Sequence, residues 1–99
     1  MGRRRSYLGN SLLRYSVLKI LESRDEMDYL TLSTAISEAI KDDIVEVARL
    51  GTVLPTTLSR MSISKLIERS GGRIRITDEG REELRKMDLF LSRLKEAIP

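Results

Sequence analysis

The segment LIERSGGRIRITDEGREEL, residues 66–84, carries the strongest local structural signals of this 99-residue chain. Its first run, 66–69, suits a short β-strand, and the pair Gly71–Gly72 that follows is typical of a two-residue hairpin turn. Arginine and isoleucine then alternate over 73–76, which predicts a second strand with its isoleucines buried and its arginines in solvent. The segment therefore predicts a two-stranded β-hairpin with a basic outer face.

The hairpin leads directly into a predicted helix from about Asp78 to Ala97. Thr77 is a favourable N-cap, and the acidic first turn suits the positive end of the helix dipole. Apolar residues recur along this helix at intervals of three and four, as in a heptad stripe: Leu84, Met87, Leu91, Leu94 and Ile98. Such a stripe either completes the core of the domain or forms a dimer seam. Its continuation about three turns past the end of a small core favours a dimer.

A helix of unusual composition is predicted over residues 55–64. Pro55 suits its first turn, residues 52–54 predict a turn before it, and Gly51 can end a preceding helix. Serine and threonine are poor residues for a helix interior because their hydroxyls compete for backbone hydrogen bonds. Their number here indicates that the surface of this helix serves a purpose other than helix stability. No acid occurs between residues 49 and 67, and a helix bearing short hydroxyls and arginine fits the major groove of DNA.

The predicted DNA-binding residues are basic or hydroxyl side chains in three parts of the chain. Arg60 is the strongest candidate for a guanine contact, and the neighbouring polar residues suit phosphates, bases or thymine methyls. The full set is Thr56, Thr57, Ser59, Arg60, Ser64 and Lys65 from the helix and its end, Arg69, Arg73 and Arg75 from the hairpin, and Arg3, Arg4 and Arg5 near the N-terminus. The alternatives are a solvated helix surface and a plain disordered tail.

The first half of the chain predicts further helices. One helix begins at Asn10 or Ser11, residues 23–28 predict a loop, and 29–32 could form a short extended segment. The apolar face of that first helix consists of Leu13, Val17, Leu18 and Leu21. A helical period then runs over 32–50, as one helix or as two joined near Asp42 and Asp43, with Thr31 or Ser33 as its cap. The predicted outward face of this second region is acidic: Glu38, Asp42, Asp43 and Glu46.

The composition excludes several classes of function. The chain contains no Cys and no His, which excludes a disulfide scaffold, a zinc site built on these residues and a Ser-His or Cys-His catalytic pair. Apolar runs of two or three residues are too short to span a membrane, and the N-terminus lacks the apolar stretch of a signal peptide. We therefore expect one cytoplasmic domain that is not an enzyme and needs no cofactor. The high charge and few amides hint at a thermophilic source.

The formal net charge of +3 is distributed unevenly. Residues 1–24 carry six basic side chains and one acid, and 49–75 carry the same numbers, so each block has a charge of +5. Residues 25–48 carry seven acids and one lysine, a charge of −6. A polyanion such as DNA could use only the basic faces, so this interpretation requires the fold to separate them from the acidic face. The alternative is a surface laced with ion pairs.

The order of these elements resembles the winged-helix DNA-binding proteins, in particular small regulators of the PadR and MarR type. The resemblance covers roughly residues 12–90 and is carried by LSRM at 58–61, the Leu66–Ile67 pair, the glycine turn and ITDEG at 76–80. Lys65 stands where the family usually has glycine, and the hairpin loop is shorter than the usual wing. The resemblance implies a recognition helix, a wing and dimerisation, which would place two recognition helices about 34 Å apart on palindromic DNA.

These observations predict a mainly helical α+β fold, a winged helix-turn-helix. Its expected parts are a flexible basic arm at 1–9, a DNA-binding domain at 10–77 and a dimerisation helix at 78–99. The expected partners are double-stranded DNA and a second copy of the chain, with no membrane and no evident small-molecule effector. Two alternatives stay open: an interaction module that uses the acidic face around 38–46 to bind a basic protein, and a non-specific nucleic-acid-binding protein.

Overall fold

The computed structural model describes residues 10–98, and the structural statements below refer to that part of the chain. Four helices and three strands follow one another as α1 Asn10–Arg24, β1 Glu26–Asp28, α2 Tyr29–Ala39, α3 Ile44–Ile63, β2 Ile67–Ser70, β3 Arg73–Ile76 and α4 Asp78–Ala97. The predicted class, mainly helical α+β with a small antiparallel sheet, is confirmed. No helix within 10–98 has the length and apolar character needed to cross a membrane.

The sheet has three strands in the order β1-β3-β2, one more than predicted. β2 and β3 form the predicted hairpin, and both turn glycines have positive φ, 57° at Gly71 and 79° at Gly72, as a tight primed turn requires. β1 pairs with the other edge of β3 and contributes one buried side chain, Met27. The prediction of a loop at 23–28 was wrong, because a three-residue strand is too short to show a period.

The start of α2 also differs from the prediction. Residues 29–32 are helical rather than extended, because Asp28 caps the helix: its carboxylate accepts a hydrogen bond from the Thr31 backbone N–H at 2.8 Å. The predicted caps at Thr31 and Ser33 were therefore wrong. The helical period at 32–50 does divide into two helices, and Asp43 caps the second by accepting a hydrogen bond from the Glu46 N–H.

The helix α3 runs without interruption from Ile44 to Ile63, through both residues that were expected to interrupt it. Gly51 does not end a helix, residues 52–54 do not form a turn, and Pro55 lies eleven residues inside the helix. Gly and Pro cost free energy inside a helix, but the burial of a continuous face of α3 contributes more than this cost. That face consists of Leu50, Leu54, Thr57, Leu58 and Met61.

One hydrophobic core unites all the elements. The predicted apolar face of α1 is confirmed, since Leu13, Val17, Leu18 and Leu21 are fully buried. The alternation in β3 is confirmed as well: its isoleucines are buried and its arginines are exposed. Leu84 is the one buried apolar residue of α4 within the described chain. The core therefore occupies only the first part of that helix.

The end of α3 is closed by a left-handed residue. Lys65 has φ 65°, its N–H donates to the Ser62 carbonyl at 3.0 Å, and the Leu66 N–H donates to the Met61 carbonyl at 2.9 Å. This pair of bonds is the helix C-cap that usually places glycine at the left-handed position. Lys65 thus adopts the left-handed conformation that glycine most often takes at this position of a helix end.

Thr77 joins the end of α3 to the start of α4. Its hydroxyl donates to the Lys65 carbonyl at 2.6 Å and its N–H donates to the Leu66 carbonyl at 3.1 Å. The same hydroxyl accepts a hydrogen bond from the Gly80 N–H at 3.0 Å, which confirms Thr77 as the N-cap of α4. The hairpin and α4 are therefore held in fixed positions relative to α3.

Candidate nucleic-acid interface

The outer face of α3 is a continuous exposed stripe without a carboxylate. Its members recur at intervals of three and four and are all exposed: Arg49, Thr52, Thr56, Arg60 and Ile63. At a rise of 1.5 Å per residue, the eleven steps from Arg49 to Arg60 span about 16 Å. We call this stripe the α3 outer face. Sequence reasoning missed its first half, because the expected helix began only at Pro55.

The single acid of α3, Glu46, does not contribute to that face. It is only 4% exposed, and its Oε1 lies 3.8 Å from Nε of Arg49. The prediction that Glu46 belongs to an outward acidic face was therefore wrong. Glu38 and Asp42 are exposed as predicted, and Asp43 is half-buried at its capping position. The acidic residues of 38–46 are thus not a single surface.

The predicted helix residues divide between the two sides of α3. Thr56 and Arg60 lie on the α3 outer face, and Ser59 is half-buried at its edge. Thr57 is only 7% exposed, so it lies on the inward side of α3 and not on the outer side, where the sequence placed it. Ser64 is exposed but lies past the last helical turn, as the C-cap residue.

The hairpin presents three exposed arginines with different partners. Nε of Arg73 lies 3.6 Å from Oε2 of Glu26, and Nε of Arg75 lies 3.8 Å from Oε1 of Glu68. Arg69 forms no ion pair within residues 10–98. These pairs are solvent-exposed and therefore weak, so both arginines remain able to meet an anion. The acids that pair with these arginines come from β1 and β2, not from the region 38–46.

Lys65 and Arg69 line an open groove between the end of α3 and the hairpin. Ser62 forms the α3 side of this groove, and Arg75, Glu68 and Glu79 also line it. The groove is thus mixed in charge. Lys65 follows directly on α3 and Arg69 lies in the hairpin, so a polyanion bound here would meet both elements.

Arg14 is a cationic residue that sequence reasoning did not select. It lies half-buried on α1 and lines a small cleft together with Arg60, Thr57 and Ser64. Only the tertiary packing of α1 beside α3 brings it there. The one signal in the sequence is a charge within the apolar first half of α1.

The predicted dimer stripe on α4 has a part that packs against the core and a part that is exposed. Leu84 is 1% exposed and Met87 is half-buried, so both contact the chain's own core. Leu84 is therefore unavailable as a dimer contact, and its prediction as one was wrong. The rest of the stripe is exposed: Leu91, Leu94 and Ile98, joined by Leu89 and Phe90.

An apolar groove of about 500 Å³ lies where α1 and α4 meet. Leu12, Tyr15, Met87, Phe90 and Leu91 line it, with Lys86 and Ser11 at its border. Sequence reasoning placed Leu12 in α1 without assigning it to this surface. We call this groove and the exposed stripe that follows it on α4 the α1/α4 apolar surface.

A polar network fixes α4 against α1 beside that groove. The Tyr15 hydroxyl donates to Oδ1 of Asp88 at 2.7 Å, and Lys19 Nζ lies 3.1 Å from Oδ2. Hydrogen bonds from Tyr15 and Lys19 hold the pKa of the Asp88 carboxyl below its usual value. The same carboxylate raises the pKa of the Tyr15 phenol and of the Lys19 ammonium. The network favours one orientation of α4 over a wide range of pH.

The described residues contain no cluster of three or more metal-ligating side chains. The predicted contacts Arg3, Arg4 and Arg5 lie outside the described residues. Comparison of the chain with models of protein families, with curated proteins and with solved structures found no match.

Proposed function

We propose that this chain is a winged-helix transcriptional regulator that binds double-stranded DNA as a homodimer. The α3 outer face would enter the major groove, and the β2–β3 hairpin would act as the wing against the neighbouring backbone. The order of elements α1-β1-α2-α3-β2-β3 and the sheet order β1-β3-β2 support the winged-helix interpretation. The left-handed residue at the end of α3 supports it too, because it occupies the position of the family glycine.

The observation that carries the proposal is the acid-free α3 outer face. An α-helix with its side chains has a diameter of about 10–12 Å, which matches a major groove about 12 Å wide. Arginine and threonine are among the residues that read base edges and phosphates there. Since the one acid of α3 is buried and paired with Arg49, no carboxylate on this face would repel phosphates.

The α1/α4 apolar surface supports the dimer. Exposed apolar residues in a helical heptad stripe are typical of a seam between two helices, and Phe90 is 63% exposed in the single chain. A two-fold axis along α4 would pair this surface with its own copy. The two α3 helices would then reach successive major grooves of a palindromic site, about 34 Å apart.

Selection of bound duplexes from a random pool tests the function directly. We expect a palindrome whose half-sites are about 10 base pairs apart, centre to centre. Recovery of many unrelated sequences with a steep dependence on salt would instead indicate a non-specific nucleic-acid-binding protein. Failure to bind any duplex at low salt would contradict the proposal and favour the interaction module.

A pair of charge reversals tests the orientation on DNA. Arg69→Glu on the hairpin should weaken binding to all duplexes, because it removes a phosphate contact and adds repulsion. Arg93→Glu is the matched control, since Arg93 is an exposed arginine near the far end of α4. Equal loss of affinity in the two variants would show that overall charge, not the hairpin, determines binding.

A further inference from the structure

A second basic feature involves Arg14 of α1 and Arg60 of α3. It is a cleft of about 50 Å³ between α1 and the end of α3. Its lining residues are Arg14, Thr57, Arg60, Met61, Ser64 and Leu66. Two arginines and two hydroxyl-bearing residues therefore line one small opening, and no acidic residue lines it.

The electrostatics of this cleft favour an anion. Neither Arg14 nor Arg60 forms an ion pair within residues 10–98, whereas Arg49, Arg73 and Arg75 each do. Arg14 is half-buried, so less water screens its charge than at a fully exposed position. The two positive charges at one opening repel each other, and an anion bound between them would attract both and offset that repulsion.

The geometry of α3 indicates which anion. Arg60 and Ser62 lie about 160° apart around the helix axis at 100° per residue, so they mark opposite edges of the α3 outer face. Ser62 lines the groove toward the hairpin, and Arg60 lines the cleft toward α1. A helix in the major groove has a phosphate backbone along each side, and guanidinium groups match the oxygens of a phosphate.

From this arrangement we infer that Arg14 and Arg60 bind one phosphate of the DNA backbone, with the Thr57 and Ser64 hydroxyls beside it. The inference rests on the proposed function and changes one part of it: Arg60 contacts the backbone rather than a guanine. The hairpin and the cleft then hold the two backbones that border the groove. The base edges would then be contacted by the middle of the α3 outer face, around Thr52 and Thr56.

The test measures duplex affinity against salt for Arg14→Ala, Arg60→Ala and the double variant. Each single change should weaken binding about tenfold, equally for preferred and random duplexes, because a charge-assisted phosphate contact is lost. Since both arginines share one phosphate, the double variant should lower the slope of log K against log salt by about 0.9, as for one phosphate rather than two. Arg14→Lys should keep the wild-type salt slope but not the full affinity, because lysine keeps the positive charge and loses the bidentate geometry of the guanidinium group.

Arg24→Ala is the matched control, since Arg24 is an exposed arginine at the other end of α1 and should leave affinity unchanged. If Arg60→Ala relaxes the preferred base at one position while Arg14→Ala has no effect, the inference is overturned and the proposed function stands. If the wild-type chain binds no duplex, a titration with inorganic phosphate, followed by amide resonances, tests the cleft alone. Shifts at Thr57 and Ser64 that Arg14→Ala abolishes would support it; their absence would overturn it.

Discussion

The two halves of α4 have similar apolar patterns and opposite surroundings. In residues 78–87 the helix is anchored: Gly80 and Leu84 are buried against the body of the domain. In residues 88–98 the apolar side chains continue at the same spacing, but all of them are exposed. A heptad pattern therefore does not distinguish a core from an interface. The difference comes from the elements beside the helix, because Leu84 packs into the core with α1 and β3, whereas none of the described apolar side chains after Met87 is buried.

The sharpest way to test the anchored half is Gly80→Ala. A Cβ at this position would overlap the carbonyl oxygen of Leu66 and would lie 2.7 Å from Cγ1 of Ile76. The first turn of α4 would have to move and break the Thr77 hydrogen bonds, so we expect a loss of about 4 kcal/mol in the free energy of unfolding. Chemical denaturation followed by circular dichroism measures it.

Gly51→Ala is the matched control, because Gly51 lies in α3 with nothing within 4 Å of the added atom. It should stabilise the chain by about 0.5–1 kcal/mol, as expected for alanine in a helix interior. Equal effects of the two substitutions would contradict the close approach of α4 to Leu66.

The same substitution in each half compares them directly. Leu84→Ala should lower the free energy of unfolding by about 3 kcal/mol, because it leaves a cavity in the core. Leu94→Ala should change it by less than about 0.5 kcal/mol, since the side chain is 44% exposed in the single chain. Both are measured by denaturation at a concentration low enough for the monomer. A large loss at Leu94 there would mean that the second half is also part of a monomer core.

These contrasts show where sequence reasoning succeeds. The hairpin turn, the Thr77 cap and the bounds of α4 depend on local chemistry, so the sequence predicted them correctly. The strand β1 and the cleft beside Arg14 depend on contacts between distant segments, which no local pattern reports.

Thr57 shows how one wrong boundary alters a site. With a helix expected to begin at Pro55, only Leu58 and Met61 defined the buried face, and Thr57 was assigned to the surface. The continuous α3 adds Leu50 and Leu54 to that face, which turns its centre toward Thr57. The expectations that a helix ends at Gly51 and another begins at Pro55 were wrong, because burial in the folded chain outweighs these local signals.

The exposed half of α4 is tested by the double variant Leu91→Asp and Leu94→Asp. Two carboxylates in an apolar seam should raise the dissociation constant of the dimer about a hundredfold or more, because each would be desolvated without a partner. Sedimentation equilibrium measures this. Leu30→Asp is the control, as Leu30 is an exposed apolar residue of α2 and should leave association unchanged. A wild-type chain that stays monomeric at high concentration would contradict the dimer.

The boundary between the halves should respond to pH. The lowered pKa of Asp88 means that its contribution to stability is complete above about pH 4 and is lost as the pH falls further. The raised pKa values of Tyr15 and Lys19 have the opposite sign, so their contribution is lost above about pH 10. Asp88→Asn should flatten the acid side of a plot of unfolding free energy against pH, and Tyr15→Phe the alkaline side. Unchanged profiles would mean that the network contributes little.

The smallest expected effect concerns Lys65, at the joint that anchors the first half. A lysine at φ 65° is strained, so Lys65→Gly should stabilise the chain by about 0.5–1 kcal/mol. The same change removes a cation beside the hairpin and should lower the salt slope of DNA binding by about 1. Lys65→Ala separates the two effects, because alanine also removes the charge but keeps a Cβ at the positive φ, so it should lower the salt slope without gaining stability. If both variants bind DNA as tightly as before, the lysine has no role in the interface, and the backbone contacts on this side of α3 come from the hairpin alone.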